Sequence, residues 1–119
     1  MAETQNSKPY DLGERTLRFA QRANHYFNQL QKTLSNVEVA KQGIRSGGSI
    51  GANYIEAEEA LSKKDFAMRA KISRKEAKET IYWLRLSEPK PDQEQEKEAL
   101  LREATELMKI FGAIVTKSR

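Results

Sequence analysis

QGIRSGGSIGANYIEA, residues Gln42 to Ala57, places four glycines (Gly43, Gly47, Gly48 and Gly51) in a segment whose flanking apolar residues keep helical spacing. Each glycine in a helix interior costs about 1 kcal/mol relative to alanine. Four of them are sustainable only where the missing side chains let another backbone come close, so the segment reads as the packing hub of a helical fold. Gly47, Gly48 and Gly51 are the expected positions of close helix packing.

Outward from this hub, four segments share one design. Asp11 to Glu14, Ser35 to Glu38 and Ser62 to Asp65 each set a short side-chain acceptor three residues ahead of a carboxylate, and Asp92 with Gln95 is a fourth instance of this capping spacing. Counting from the caps gives helices over 11–34, 36–61, 63–88 and 92–117, with links of a few residues. Short links force antiparallel neighbours. The apolar positions agree: Leu12, Thr16, Phe19, Ala23, Phe27, Leu30 and Leu34 in the first helix, and Val37, Ala40, Ile44, Gly47, Gly51 and Ile55 in the second. Phe66, Ala70, Ser73, Ala77, Ile81 and Leu84 follow in the third, and Leu100, Ala104, Leu107, Phe111 and Ile114 in the fourth. Steps of three and four mark one buried stripe per helix. The expected fold is all-α, an antiparallel up-down-up-down four-helix bundle with helices roughly 35–40 Å long. Residues 1–9 are expected to form a loose arm and residues 10–119 a single domain.

A chain of 119 residues suffices for one core. Lys and Arg outnumber Asp and Glu by 21 to 17, and the absence of cysteine removes disulfides and thiol chemistry. The N-terminus has no basic flank leading into an apolar run, and no stretch is apolar enough to span a bilayer, so the expected setting is the cytoplasm, away from membranes.

Two helices carry information on their other faces. On a helical wheel, Lys64, Lys71, Lys75, Lys78, Tyr82 and Arg85 fall within a stripe about 80° wide, pointing away from the core. Residues 63–88 hold eight Lys or Arg against four Asp or Glu, an excess that equals the net +4 of the whole chain. The strip is a candidate nucleic-acid contact, its lysines for phosphates and Tyr82 for a base; the plainer reading is a solvated helix face. A further face carries Ile72 and Trp83 beside Glu76 and Glu79, and a tryptophan outside the core stripe points to a subunit interface or a corner of the core. Opposite its own stripe, the second helix shows Gln42, Arg45, Ser46, Ser49, Asn53 and Glu56. These short polar groups suggest hydrogen-bonded contact, with Glu76 or Glu79 as the partner expected for Arg45.

The run IRSGGSIGANYIEAEEALSKKDF, followed by KISRKEAKETIYWLRL, resembles the signature of the four-helix-bundle proteins encoded in intervening sequences of bacterial 23S ribosomal RNA genes. The match is close over residues 42–88 and extends to the layout of the whole chain. Arg45, Ser46, Ser49, Gly51, Asn53, Glu56 and Ala57 stand where that family has its second-helix motif. Ser62, Asp65, Phe66, Lys71, Glu76, Glu79, Trp83 and Leu84 stand on its third-helix pattern. The family is similar to the accessory variability protein of diversity-generating retroelements, a basic, ring-forming bundle that works with a reverse transcriptase. The resemblance implies a cytosolic homopentamer of largely unassigned role that associates with nucleic acid.

Other chemistries find little footing. A di-metal centre in a bundle wants two Glu-x-x-His pairs, but the single histidine, His25, follows Arg22 at that spacing. Glu56, Glu58 and Glu59, or Glu76 with Glu79, are more ordinary as partners of Lys and Arg than as cation ligands. Gly47-Gly48 lacks the Gly-Lys-Ser/Thr of a phosphate loop, and Arg45 and Ser46 inside the Gly43, Gly47, Gly51 spacing speak against a membrane dimer motif. Neither metal nor cofactor is expected. The leading expectation is a non-enzymatic homo-oligomer, pentameric by resemblance, that binds RNA or DNA through the basic strip. The alternative is an oligomeric scaffold for a protein partner, with a metal-dependent enzyme last.

Overall fold

The computed structural model describes residues 11–118, so the arm expected over residues 1–9 lies outside the described residues. Four helices form: α1 (Leu12–Asn28), α2 (Leu34–Glu58), α3 (Lys63–Leu86) and α4 (Glu94–Lys117), the last entered through a single 3₁₀ turn, Pro91–Gln93. Each helix packs on its neighbour in sequence, most extensively α2 on α3, while α1 and α4 close the bundle more sparsely. The fold is the expected all-α up-down-up-down bundle. No described helix is long and apolar enough to cross a membrane.

Two of the four caps stand as the sequence predicts: the Asp11 carboxylate accepts from the Glu14 N–H and the Ser62 hydroxyl from the Asp65 N–H, each at 3.1 Å. The other two differ. α2 starts at Thr33, whose hydroxyl accepts from the Asn36 N–H at 3.1 Å, and not at Ser35. The buried Asn36 sets this start. Its amide donates to the carbonyls of Gln31 and Glu88, and its carbonyl accepts from the Glu88 N–H, all at 3.0 Å, tying the α1–α2 link to the α3–α4 link. At the head of α4, Gln93 replaces the expected Asp92 cap: it accepts from the Lys90 N–H at 3.3 Å and donates to the Tyr26 carbonyl at 3.0 Å. The Tyr26 hydroxyl meets Ser87 Oγ at 2.6 Å beside it.

α1 is therefore 17 residues long, about 26 Å and not 35–40 Å. Leu30 keeps its core position from the link, but Leu34, expected in the same stripe, is 88% exposed.

The core gathers Phe19, Ala23, Tyr26 and Phe27 of α1 around Ile50, Leu84, Leu100, Leu107 and Phe111. The stripes expected for α3 and α4 line it closely. For α2 the stripe is corrected. The buried positions are Asn36, Val39, Gly43, Ser46, Gly47, Ile50 and Ala57: Gly47 is buried as expected and Ala40 and Ile44 pack partly buried against the core, but the centre of the stripe is rotated by about 100°, one residue, from the expected one. Ser46, expected on the opposite face, is wholly buried because its hydroxyl meets Thr80 Oγ1 at 2.8 Å, and Thr80 donates onward to the Glu76 carbonyl at 2.8 Å. Ser73 likewise donates to the Ile50 carbonyl at 2.9 Å. Satisfied hydroxyls are as much at home inside as methyls.

The glycines divide accordingly. A Cβ on Gly43 would lie 2.2 Å from the Phe27 ring, and one on Gly51 would lie 2.8 Å from Thr16 Oγ1. These two are the close approaches of α1 to α2. Gly47 has ordinary room for a methyl, 3.7 Å from the Ala23 Cβ. Gly48 is exposed with nothing within 4 Å of an added Cβ, so the close packing expected there is absent within the chain.

Gly43→Ala should lower stability by about 1–3 kcal/mol through overpacking against Phe27. Gly48→Ala should raise it by about 0.5–1 kcal/mol through helix propensity alone. Urea unfolding of both variants checks the pair, and equal midpoints would remove Phe27 as the reason for Gly43. Asn36→Ala leaves buried backbone groups of both links unpartnered and should cost about 1–3 kcal/mol in the same measurement.

Candidate nucleic-acid interface

α3, capped by Ser62 and 24 residues long, turns one ridge to solvent. Lys64, Lys71, Lys75, Lys78, Tyr82 and Arg85 are all exposed on it, and none of its cations forms an ion pair among the described residues. Tyr82 stands edge-on to the Trp83 ring, centroids 4.9 Å apart, and remains 58% exposed.

Glu76 and Glu79, the carboxylates of α3 nearest the strip, are drawn toward α2. Arg45 of α2 reaches across to Glu79, with which it shares a short hydrogen bond, and lies 3.5 Å from Glu76. The half-buried Trp83 donates its indole N–H to Glu79 Oε2 at 3.1 Å. That donation, assisted by Arg45 and by the nearby charge of Lys75, holds the Glu79 carboxyl below its ordinary range against the opposing effect of burial. Its stabilising contribution is thus present above the usual glutamate pKa and is lost as pH falls through the depressed value. Glu76 is 8% exposed, and its Oε1 has no hydrogen-bond partner.

Farther along the same α2–α3 seam, Arg69 donates to Asn53 Oδ1 at 3.1 Å, and Asn53 donates to the Ser49 carbonyl at 2.9 Å. The structure thus joins Arg45, Glu76, Glu79 and Trp83 in one network and Ser49 and Asn53 in a second, while Glu56 stands exposed and Ile72 lies outside both. Among the described residues, no group of three or more His, Asp or Glu side chains is placed to hold a metal ion.

Two features escaped the wheels. Arg15 and Arg22 of α1 form two-pronged pairs with Glu103 and Glu96 of α4, at 2.7 and 3.0 Å and at 3.0 and 2.9 Å. They fasten the sparse α1–α4 side, and only a three-dimensional pairing of the helices reveals them. A groove of about 730 Å³ runs beside the basic strip, shared by Met68, Ile72 and Arg74 of α3 with Met108 and Gly112 of α4. Gly112, a glycine inside a regular helix, and Ile72, an apolar residue off the core stripe, were its signals in the sequence.

The comparisons accord with this architecture. Residues 10–113 match the family described as 23S rRNA-intervening sequence protein. A crystal structure of a Bacteroides thetaiotaomicron protein of unknown function, from the S23 ribosomal protein family, is 34% identical. The likeness covers 87% of this chain and 97% of that one, with a TM-score of 0.72. No curated protein matches. With a four-helix bundle in place and the match running over nearly all of it, the chain belongs to the 23S rRNA-intervening sequence protein family.

Proposed function

We propose that the protein is a non-enzymatic, homo-oligomeric bundle, a pentamer, that binds RNA or DNA through the basic strip of α3 in the cytoplasm. The observation that carries this reading is the strip itself: Lys64, Lys71, Lys75, Lys78 and Arg85 are exposed and unpaired among the described residues, with Tyr82 among them. On a solvated face, lysines commonly pair with carboxylates at helical spacing. Here the α3 carboxylates Glu76 and Glu79 turn toward Arg45 instead.

Assembly is supported by apolar surface that the single chain leaves in water. Leu34 and Ile55 of α2 are 88% and 58% exposed. A ring joins two different patches of each subunit. It also repeats the strip once per subunit, so weak phosphate contacts gain in apparent affinity without any new contact.

Reversing Lys71, Lys75 and Lys78 together to glutamate should abolish retention on RNA and DNA at low salt while leaving helix content and assembly unchanged. Wild-type binding should weaken steeply as salt rises, because it rests on counterion release. Equal binding by the triple variant, or no wild-type binding at low salt, would leave the strip a solvated face and give the scaffold reading the lead. Light scattering should report about 68 kDa, five copies of the 13.6 kDa chain closed in a ring, and a monomer at micromolar concentration would defeat the assembly.

A further inference from the structure

We infer that the groove between α3 and α4 takes the bases of an unpaired strand, so that the preferred ligand of the basic strip is single-stranded nucleic acid. The inference rests on the phosphate-binding reading above and adds to it a site for bases. Met68, Ile72, Met108 and Gly112 give the groove apolar surface, and Lys71, Arg74, Lys75 and Lys78 complete its lining with four cations and no carboxylate. Its volume, about 730 Å³, admits more than one planar heterocycle.

Apolar surface under a wholly cationic rim is complementary to a ligand that is flat and apolar on one side and anionic on the other. A single strand has both sides: bases free to unstack and phosphates on a continuous backbone. A duplex keeps the faces of its bases stacked inside, where an apolar groove on the protein cannot cover them. The cations also run well past the groove. From Lys64 to Arg85 the strip covers 22 residues, about 31 Å of helix axis, a length suited to a polyanion and longer than the groove needs for a small amphiphile. Two methionines suit the bases in particular, since polarisable thioethers pack well on aromatic rings and adapt to different ones. Such contact tolerates any sequence.

Gly112 provides the test. A Cβ there would stand 3.5 Å from Arg74 Cδ, an ordinary contact, so Gly112→Leu fills the groove without entering the core. Met68→Gln, at a side chain 49% exposed, removes apolar lining with even less risk to folding. Binding would be measured at low salt for three ligands of equal length: an unstructured oligonucleotide, its duplex, and an abasic strand that keeps the phosphates but lacks the bases. Wild type should prefer the unstructured strand over the other two by about tenfold, the scale of one or two stacked bases. Both variants should erase that preference and leave duplex binding unchanged. Equal wild-type affinity for all three ligands, or a preference that survives both variants, overturns the groove assignment while the lysine strip stands. Absence of binding to any of the three overturns both readings. Displacement of the bound strand by an acidic amphipathic peptide at lower concentration assigns the groove to a protein partner and likewise overturns the proposal.

Discussion

The contact on which this bundle depends is the one that α2 makes by having no side chains at Gly43 and Gly51. Phe27 of α1 lies over the first and Thr16 over the second, each closer than a Cβ would allow. The two glycines together cost about 2 kcal/mol in helix propensity. Full burial of one phenylalanine returns about 1.5–3 kcal/mol, and Phe19, Ala23 and Tyr26 of α1 are buried alongside Phe27. The close approach thus more than offsets its cost, and it lets a helix of only 17 residues anchor one side of the domain.

That approach also fixes the rotation of α2. With Gly43 and Gly51 turned to α1, Ser46 faces α3 and the Ser46–Thr80 hydroxyl pair sits inside. Arg45, one residue earlier, then emerges at the rim of the seam, within reach of Glu76 and Glu79. Because Arg45 is half exposed, its pairs add little stability, within about 1 kcal/mol. Their effect is on the distribution of charge. By holding Glu76 and Glu79 on the α2 side, Arg45 leaves Lys64, Lys71, Lys75, Lys78 and Arg85 without an ion-pair partner among the described residues.

Helix number, order, polarity and most of the core were legible because each rests on local spacing: steps of three and four, and caps three residues from their acceptors. The rotation of α2 was not, because glycine and isoleucine stand on both stripes, Ile44, Gly47, Gly51 and Ile55 on the expected one and Gly43, Gly47 and Ile50 on the buried one, and Asn36 and Ser46 are admitted inside only by partners remote in sequence. Thr33 and Ser35 were equally good caps by type, and only the remote bonds of Asn36 to Gln31 and Glu88 choose between them. Of the candidate site, the basic strip was readable because it lies on one helix. Arg45 could be paired by residue type, since its partners stand on the adjacent α3. The groove could not, because Gly112 and Met108 meet Arg74 and Met68 only once α3 and α4 are side by side.

Separate helices for assembly and binding would have a physical advantage for the proposed function. The exposed apolar residues Leu34 and Ile55 belong to α2, whereas the cations belong to α3. Burying α2 surface in a neighbour would leave the lysines hydrated and ready to exchange counterions for phosphates. A strip that also formed the subunit contact would have to give up one role to fill the other, since desolvated lysines facing no carboxylate oppose association. A strip left free in each copy instead multiplies with the number of subunits. The bundle would then bind a flexible strand at several points, with each contact weak enough to release as the strand moves and the set strong enough to hold it.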